Sequence, residues 1–85
     1  MQIIYTAEFI HLFKKLSQEI KKEAFKKELI FKKNPFDSKL KTHKLKGKLK
    51  DCWAFSISFN YRIIFEFAED DIVYFHSIGT HDIYK

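Results

Sequence analysis

The sequence predicts an α+β fold of element order β-α-α-β-β-β, with two N-terminal helices packed on one face of an antiparallel sheet. Two observations carry this reading. Apolar residues recur with helical spacing across residues 9–31, then switch to a period of two from residue 53 onward. Only two Gly and one Pro interrupt 85 residues, so regular structure dominates the chain.

The short β-branched and aromatic run Gln2–Tyr5 reads as the first strand. Thr6 follows as an N-cap, and Glu8 lies in the first helical turn, where the helix dipole favours an acid. Phe9, Leu12, Phe13, Leu16 and Ile20 then form a helical apolar stripe. Ser17 followed by Glu19 is a second capping signal, so the stripe breaks into two helices near residues 15–17. The second helix runs to about Lys33 and stops before Asn34-Pro35, because a residue preceding proline is pushed out of the helical region. Ile20, Ala24 and Phe31 mark its core side. Phe25 and Leu29 lie nearly opposite, to be covered by the first helix or left open for a partner.

Residues 34–51 carry no clear period. Asn34 to Ser38 reads as a turn, and six lysines follow from Lys39 to Lys50 with no acid among them. A connection this long in a small domain is usually functional or disordered. Leu40, Leu45 and Leu49, spaced along it, argue that it is pinned to the body of the protein. Beyond it, Trp53, Phe55, Ile57 and Phe59 alternate with small residues. Tyr61, Ile63, Phe65 and Phe67 alternate with Arg62, Ile64 and Glu66. With residues 72–78, these runs predict a three-stranded antiparallel meander, turned at Asn60 and at Glu69-Asp70-Asp71.

The length fits one domain spanning residues 1–85, and the ten Phe supply apolar area for one core. The lone Cys52 excludes an internal disulfide and a multi-cysteine zinc site, and reads as a small buried residue beside a strand. No apolar run approaches the ~20 residues of a membrane span. Met1 to Tyr5 shows no signal-peptide pattern, so the expectation is a soluble cytoplasmic protein with no membrane partner. The net charge of +5 is unevenly spread. Residues 14–50 hold fourteen lysines against four acids, a local balance of +10 that attracts polyanions. The helical lysines read as a solvated face, whereas the loop lysines read as phosphate contacts.

Arg62 is the only arginine among sixteen lysines and arginines. A guanidinium offers a planar, always-charged fork that lysine cannot replace. On a strand face opposite Tyr61, Ile63 and Phe65, it is suited to clamp a phosphodiester, or alternatively to pair with Glu66 on the same face. His81, after Gly79 and Thr80 at the end of the last strand, is suited to acid–base work near neutral pH. Taken alone, it would read as a surface histidine. His43 lies in the lysine-rich loop, where an imidazole beside bound phosphate can act as a general base, or be one polar loop residue. Tyr84 can stack on a base, assist proton transfer, or simply pack. His11 and His76 read as a solvent-side helix residue and a half-buried strand residue.

Together, Asn34-Pro35, Leu40-Lys41-Thr42-His43-Lys44-Leu45-Lys46-Gly47, Tyr61-Arg62-Ile63-Ile64-Phe65 and Ile78-Gly79-Thr80-His81-Asp82 resemble the RelE/ParE superfamily of bacterial type II toxins. The resemblance is nearest to the RelE/StbE and YafQ-like members and covers almost the whole chain. It implies a RelE-like, microbial-ribonuclease-like fold, cleavage of mRNA in the ribosomal A site, and neutralisation by a cognate antitoxin in a heteromeric complex, the free toxin being a monomer. The implied chemistry uses no cofactor and no metal: the 2′-hydroxyl attacks the adjacent phosphate. By this resemblance Arg62 stabilises the phosphorane, His81 protonates the leaving 5′ oxygen, His43 helps activate the 2′-hydroxyl, and Tyr84 matches a tyrosine some members use. Lys41, Lys44, Lys46 and Lys48 would hold RNA phosphates. The alternatives are a ParE-like gyrase inhibitor without nuclease activity and a non-toxic binding module. His43 and His81 argue against the former, because ParE-like members usually lack that pair.

Overall fold

The computed structural model of the chain describes residues 1–84, and the side chain of Tyr84 lies outside that description. Strand β1 is Gln2–Tyr5, and helices α1 and α2 are Ala7–Lys14 and Gln18–Lys33. Both helix starts are capped as the sequence indicates. The Thr6 hydroxyl accepts from the Phe9 N–H at 3.1 Å, and the Ser17 hydroxyl accepts from the Ile20 N–H at 3.3 Å. α2 ends at Lys33, and Asn34 leaves it in extended conformation ahead of Pro35.

The lysine-rich connection is not structureless. It contains short 3-10 turns at Ser38–Leu40 and Gly47–Leu49, and between them a two-residue strand β2, His43–Lys44. Lys41 adopts a left-handed conformation with φ of 53°, and Gly47 has φ of 70°. The three leucines do pin the segment. Leu40 is fully buried in the main core, while Leu45 and Leu49 pack against a smaller cluster.

The meander follows as strands β3 (Trp53–Ser56), β4 (Arg62–Phe67) and β5 (Ile72–Gly79). The order in the sheet is β1-β5-β4-β3-β2. The meander and β2 pair antiparallel, but β1 joins the edge parallel to β5, so the sheet is mixed rather than wholly antiparallel. A parallel neighbour needs a long crossover, which the two helices supply in part. β3 is also shorter than the alternation suggests. The Ile57 N–H bonds the Tyr61 carbonyl across the turn at 3.0 Å, and Phe59 stands at the tip, 94% exposed rather than in the core.

Both helices pack on one face of the sheet. Phe9, Ala24 and Phe31 meet Phe55, Ile63, Phe65, Val73 and Phe75 there, all buried. The Phe31 ring lies 4.8 Å from Phe55 and from Phe65, centroid to centroid. Phe25 and Leu29, on the other side of α2, are exposed. Among the described residues, no helix is long and apolar enough to cross a membrane.

Candidate active site

Residues paired across a sheet share a face, so the register decides which groups look the same way. Ser56 pairs with Arg62, and Arg62 with Gly79. His43 pairs with Ala54, which pairs with Ile64. All of these lie on the face that the helices leave uncovered. That face is not bare. Cys52, Ala54 and Ile64 are buried there under Leu45, Leu49 and Ile83, so the lysine-rich segment and the C-terminal turn roof its middle.

Arg62 is half-buried at the start of β4, beside this second cluster. It takes part in two neighbouring depressions. One is lined by Asn60, Arg62, Thr80, His81 and Asp82. The other brings Arg62 together with Lys27, Lys39, Lys41, Ser56 and Phe59. His81 opens a short 3-10 turn, His81–Tyr84, directly after β5, and is exposed. The turn is held by the Ile83 N–H bonding the Thr80 carbonyl at 3.1 Å. Gly79 allows that turn to close on the strand: a Cβ there would stand 2.6 Å from Ile83 Cγ2.

A guanidinium and an imidazole in one concavity can hold a phosphate and deliver a proton to it. Three ammonium groups in the adjoining concavity extend the positive field along the path a polyanion would follow. Lys27 is held there, half-buried, donating to the Ile57 carbonyl at 3.3 Å. Glu66 is engaged elsewhere, its Oε1 2.8 Å from His76 Nε2.

The remaining sequence candidates are less tightly gathered. His43 lies on the same face as Arg62 but two strands over, its backbone about 12 Å away by strand spacing and rise. Its Nδ1 is 3.1 Å from the Lys41 carbonyl oxygen. Lys46 and Lys48 flank Leu45 and Leu49 in a further depression. Lys44 turns toward the helix face, where its ammonium stands 5.6 Å from the Trp53 ring centroid. In β2 consecutive side chains alternate, so His43 and Lys44 cannot both face Arg62. The Tyr84 side chain lies outside the described residues.

Three neighbours of Arg62 were not singled out by the sequence. Lys27 hides among helical lysines with ordinary i, i+4 partners, Lys39 sits at the edge of the lysine run, and Phe59 mimics a core strand residue. The signal for Phe59 was the Ser58-Phe59-Asn60 stretch, a turn composition with a large aromatic in it.

No protein-family model matches the chain, and no curated protein matches it in sequence. Solved structures do match. The YoeB/ParE toxin from Agrobacterium tumefaciens superposes with a TM-score of 0.80 at 15% identity, over 95% of this chain and 99% of that one. YafQ from E. coli strain BL21(DE3) gives 0.73 at 20% identity, over 98% and 96%. A chain of the archaeal RelE–RelB complex from Pyrococcus horikoshii OT3 gives 0.75 at 14% identity, over 93% and 92%. The chain shares the fold of these three solved proteins over nearly its full length.

Proposed function

We propose that this chain is the toxin of a type II toxin–antitoxin pair, and that it cleaves mRNA in the ribosomal A site. The observation that carries the reading is the pairing of Arg62 with His81 in one depression, continued by the concavity that Lys27, Lys39 and Lys41 line. The match to solved toxins supports the fold on which this site sits.

In the proposed reaction the 2′-oxygen of one nucleotide attacks the adjacent phosphorus, and the bond from phosphorus to the 5′ oxygen breaks. Arg62 binds the non-bridging oxygens as charge develops on them. His81 gives its proton to the departing 5′ oxygen, and His43, farther along the same face, helps take the proton of the 2′-hydroxyl. The products are a 2′,3′-cyclic phosphate and a 5′-hydroxyl. Lys27, Lys39, Lys41, Lys46 and Lys48 hold flanking phosphates. Phe59 offers an exposed ring on which a base can stack. Tyr84 keeps the role its sequence position suggests.

The partner follows from the opposite side of the molecule. Ile10, Phe13 and Phe25 line an apolar groove with Lys14 at its rim. An acidic, amphipathic antitoxin segment folding onto a +10 region suits that groove. The free toxin is then a cytoplasmic monomer.

Primer extension on a reporter mRNA, with and without translating ribosomes, tests the reading. Codon-phased cuts that need ribosomes and vanish in His81→Ala are expected. Growth arrest with intact mRNA and stalled gyrase–DNA complexes would instead identify a gyrase inhibitor.

A further inference from the structure

Away from Arg62, the open face carries a second group of reactive side chains. Cys52, Glu66 and His76 place a sulfur, a carboxylate oxygen and an imidazole nitrogen within 4.8 Å of one another. They come from three separate parts of the chain: the residue before β3, the penultimate residue of β4, and β5. Glu66 lies four residues along β4 from Arg62, about 13 Å at strand rise, so this group is distinct from the proposed cleavage site.

His76 reaches the cluster through an irregularity. Ile64 pairs with Ser77 but Phe65 pairs with Phe75, so His76 is the extra residue of a β-bulge and opposes no residue of β4. Bulges re-aim side chains, and this one turns an imidazole toward Glu66, with 2.8 Å between Nε2 and Oε1. Cys52 is buried, whereas the Glu66 and His76 side chains are 40% and 34% exposed. The group therefore has an approach from solvent on the side of the imidazole and the carboxylate.

We propose that Cys52, Glu66 and His76 form a binding site for a divalent metal ion of borderline softness, with Zn2+ the best fit. Zinc accepts sulfur, nitrogen and oxygen donors together, at roughly 2.0–2.3 Å, and tetrahedral sites with three protein ligands leave one position open. Donors at those lengths stand about 3.3–3.8 Å from one another. The His76–Glu66 contact must open by roughly half to one ångström and the sulfur must close in by at most about 1.5 Å. A thiolate and a carboxylate neutralise the ion, and the Cys52 thiol proton is released to solvent on binding. Hard cations such as Mg2+ prefer all-oxygen shells, so the sulfur and imidazole donors here favour the softer ion.

The ion would tie the end of the lysine-rich segment to β4 and β5, which already pair with each other. Cys52 closes the lysine-rich segment: its N–H bonds the Leu49 carbonyl at 2.8 Å, and its carbonyl accepts from the Leu45 N–H at 3.0 Å. Fixing its sulfur to β4 and β5 stiffens the stretch that carries Lys46 and Lys48. This inference stands apart from the nuclease reading and survives its failure.

The test uses tag-free full-length protein titrated with Co2+ and then Zn2+. The expected result is one equivalent of Co2+ bound with a thiolate-to-cobalt charge-transfer band. Zn2+ should displace it. At a hundredfold excess over Kd, Zn2+ should raise the melting temperature by about 10 °C or more. Cys52→Ser should remove the band, and His76→Gln and Glu66→Gln should each weaken binding at least tenfold. If Cys52→Ser fails to fold, the two polar variants decide the question, because their groups are partly exposed. No charge-transfer band in wild type would overturn the proposal. So would a band and melting shift that persist unchanged in both His76→Gln and Glu66→Gln, because the ion would then sit elsewhere.

Discussion

The helix face of the sheet and its open face are built from different materials. On the helix face, Phe31, Phe55, Phe65 and Phe75 interlock with centroids 4.8–6.5 Å apart, and each ring is at most 1% exposed. On the open face, the buried apolar cluster among the described residues is small, Cys52, Ala54 and Ile64, roofed by half-buried Leu45, Leu49 and Ile83 and joined by buried Ser77 opposite Ile64. Apolar burial and ring packing stabilise the first face far more than the second. The small second cluster has another use. It anchors the lysine segment and the His81 turn beside Arg62. The contrast teaches a division of labour: substitutions on the helix face should cost stability, and those on the open face should cost activity.

The sharpest way to break that division is at its strongest point. Phe31→Ala removes a fully buried ring that touches three others, at a cost of about 3–5 kcal/mol. In so small a domain this takes most of the stability. Circular dichroism melts should show a largely unfolded chain at 37 °C, and a near-native melt would mean that the helix face carries less than its packing implies.

Gly79→Ala probes the seam between strand and C-terminal turn. The new methyl would meet Ile83 Cγ2 at 2.6 Å, so Ile83, in the turn that carries His81, must give way. Overpacking of this kind costs about 1–3 kcal/mol. Cleavage should fall by more than the melt accounts for. An unchanged rate beside a lowered melting temperature would separate His81 from the chemistry.

Phe59→Ala acts at the exposed tip of the β3–β4 turn, outside both buried clusters. With the ring 94% exposed, the melt should stay within about 0.5 kcal/mol of wild type. Loss of a stacking platform worth about 1–3 kcal/mol should raise KM roughly tenfold. A lowered melt without a KM change would return Phe59 to a packing role.

The smallest effect lies on the helix side and depends on pH. Burial, with a hydrogen bond to Glu28 and the charge of Glu28, holds the Tyr5 phenol well above the usual tyrosine range. The unfolded phenol then ionises first as pH rises, so the unfolded state loses protons that the folded state keeps. The contribution of Tyr5 is fully present below the ordinary tyrosine pKa near 10 and declines above it. Urea melts from pH 8 to 11 should show an alkaline loss of stability that Tyr5→Phe reduces. An identical slope in both proteins would remove Tyr5 from the account.

Much of this arrangement was legible in the residues. Thr6 and Ser17 cap the helices as their chemistry suggests, Asn34-Pro35 ends α2, and the period-two runs become β3, β4 and β5. Arg62 and His81 do share a depression. What escaped was set by pairing rather than by local pattern. The parallel seating of β1 on β5 depends on where the helices return the chain. The direction of Lys44 is fixed by two residues of register against β3. Lys27 joins the arginine only because α2 crosses the sheet at that point, and the bulge at His76 leaves no mark in the alternation.

The central claim, that the open face does the work without holding the fold, is tested most directly by Arg62→Ala. Its melting temperature and its rate of ribosome-dependent mRNA cleavage should be measured side by side with wild type. The account predicts a melt within about 2 °C of wild type and a cleavage rate lower by a factor of about 100 or more. Retained cleavage, or loss of cleavage only in step with a collapsed melt, would contradict it.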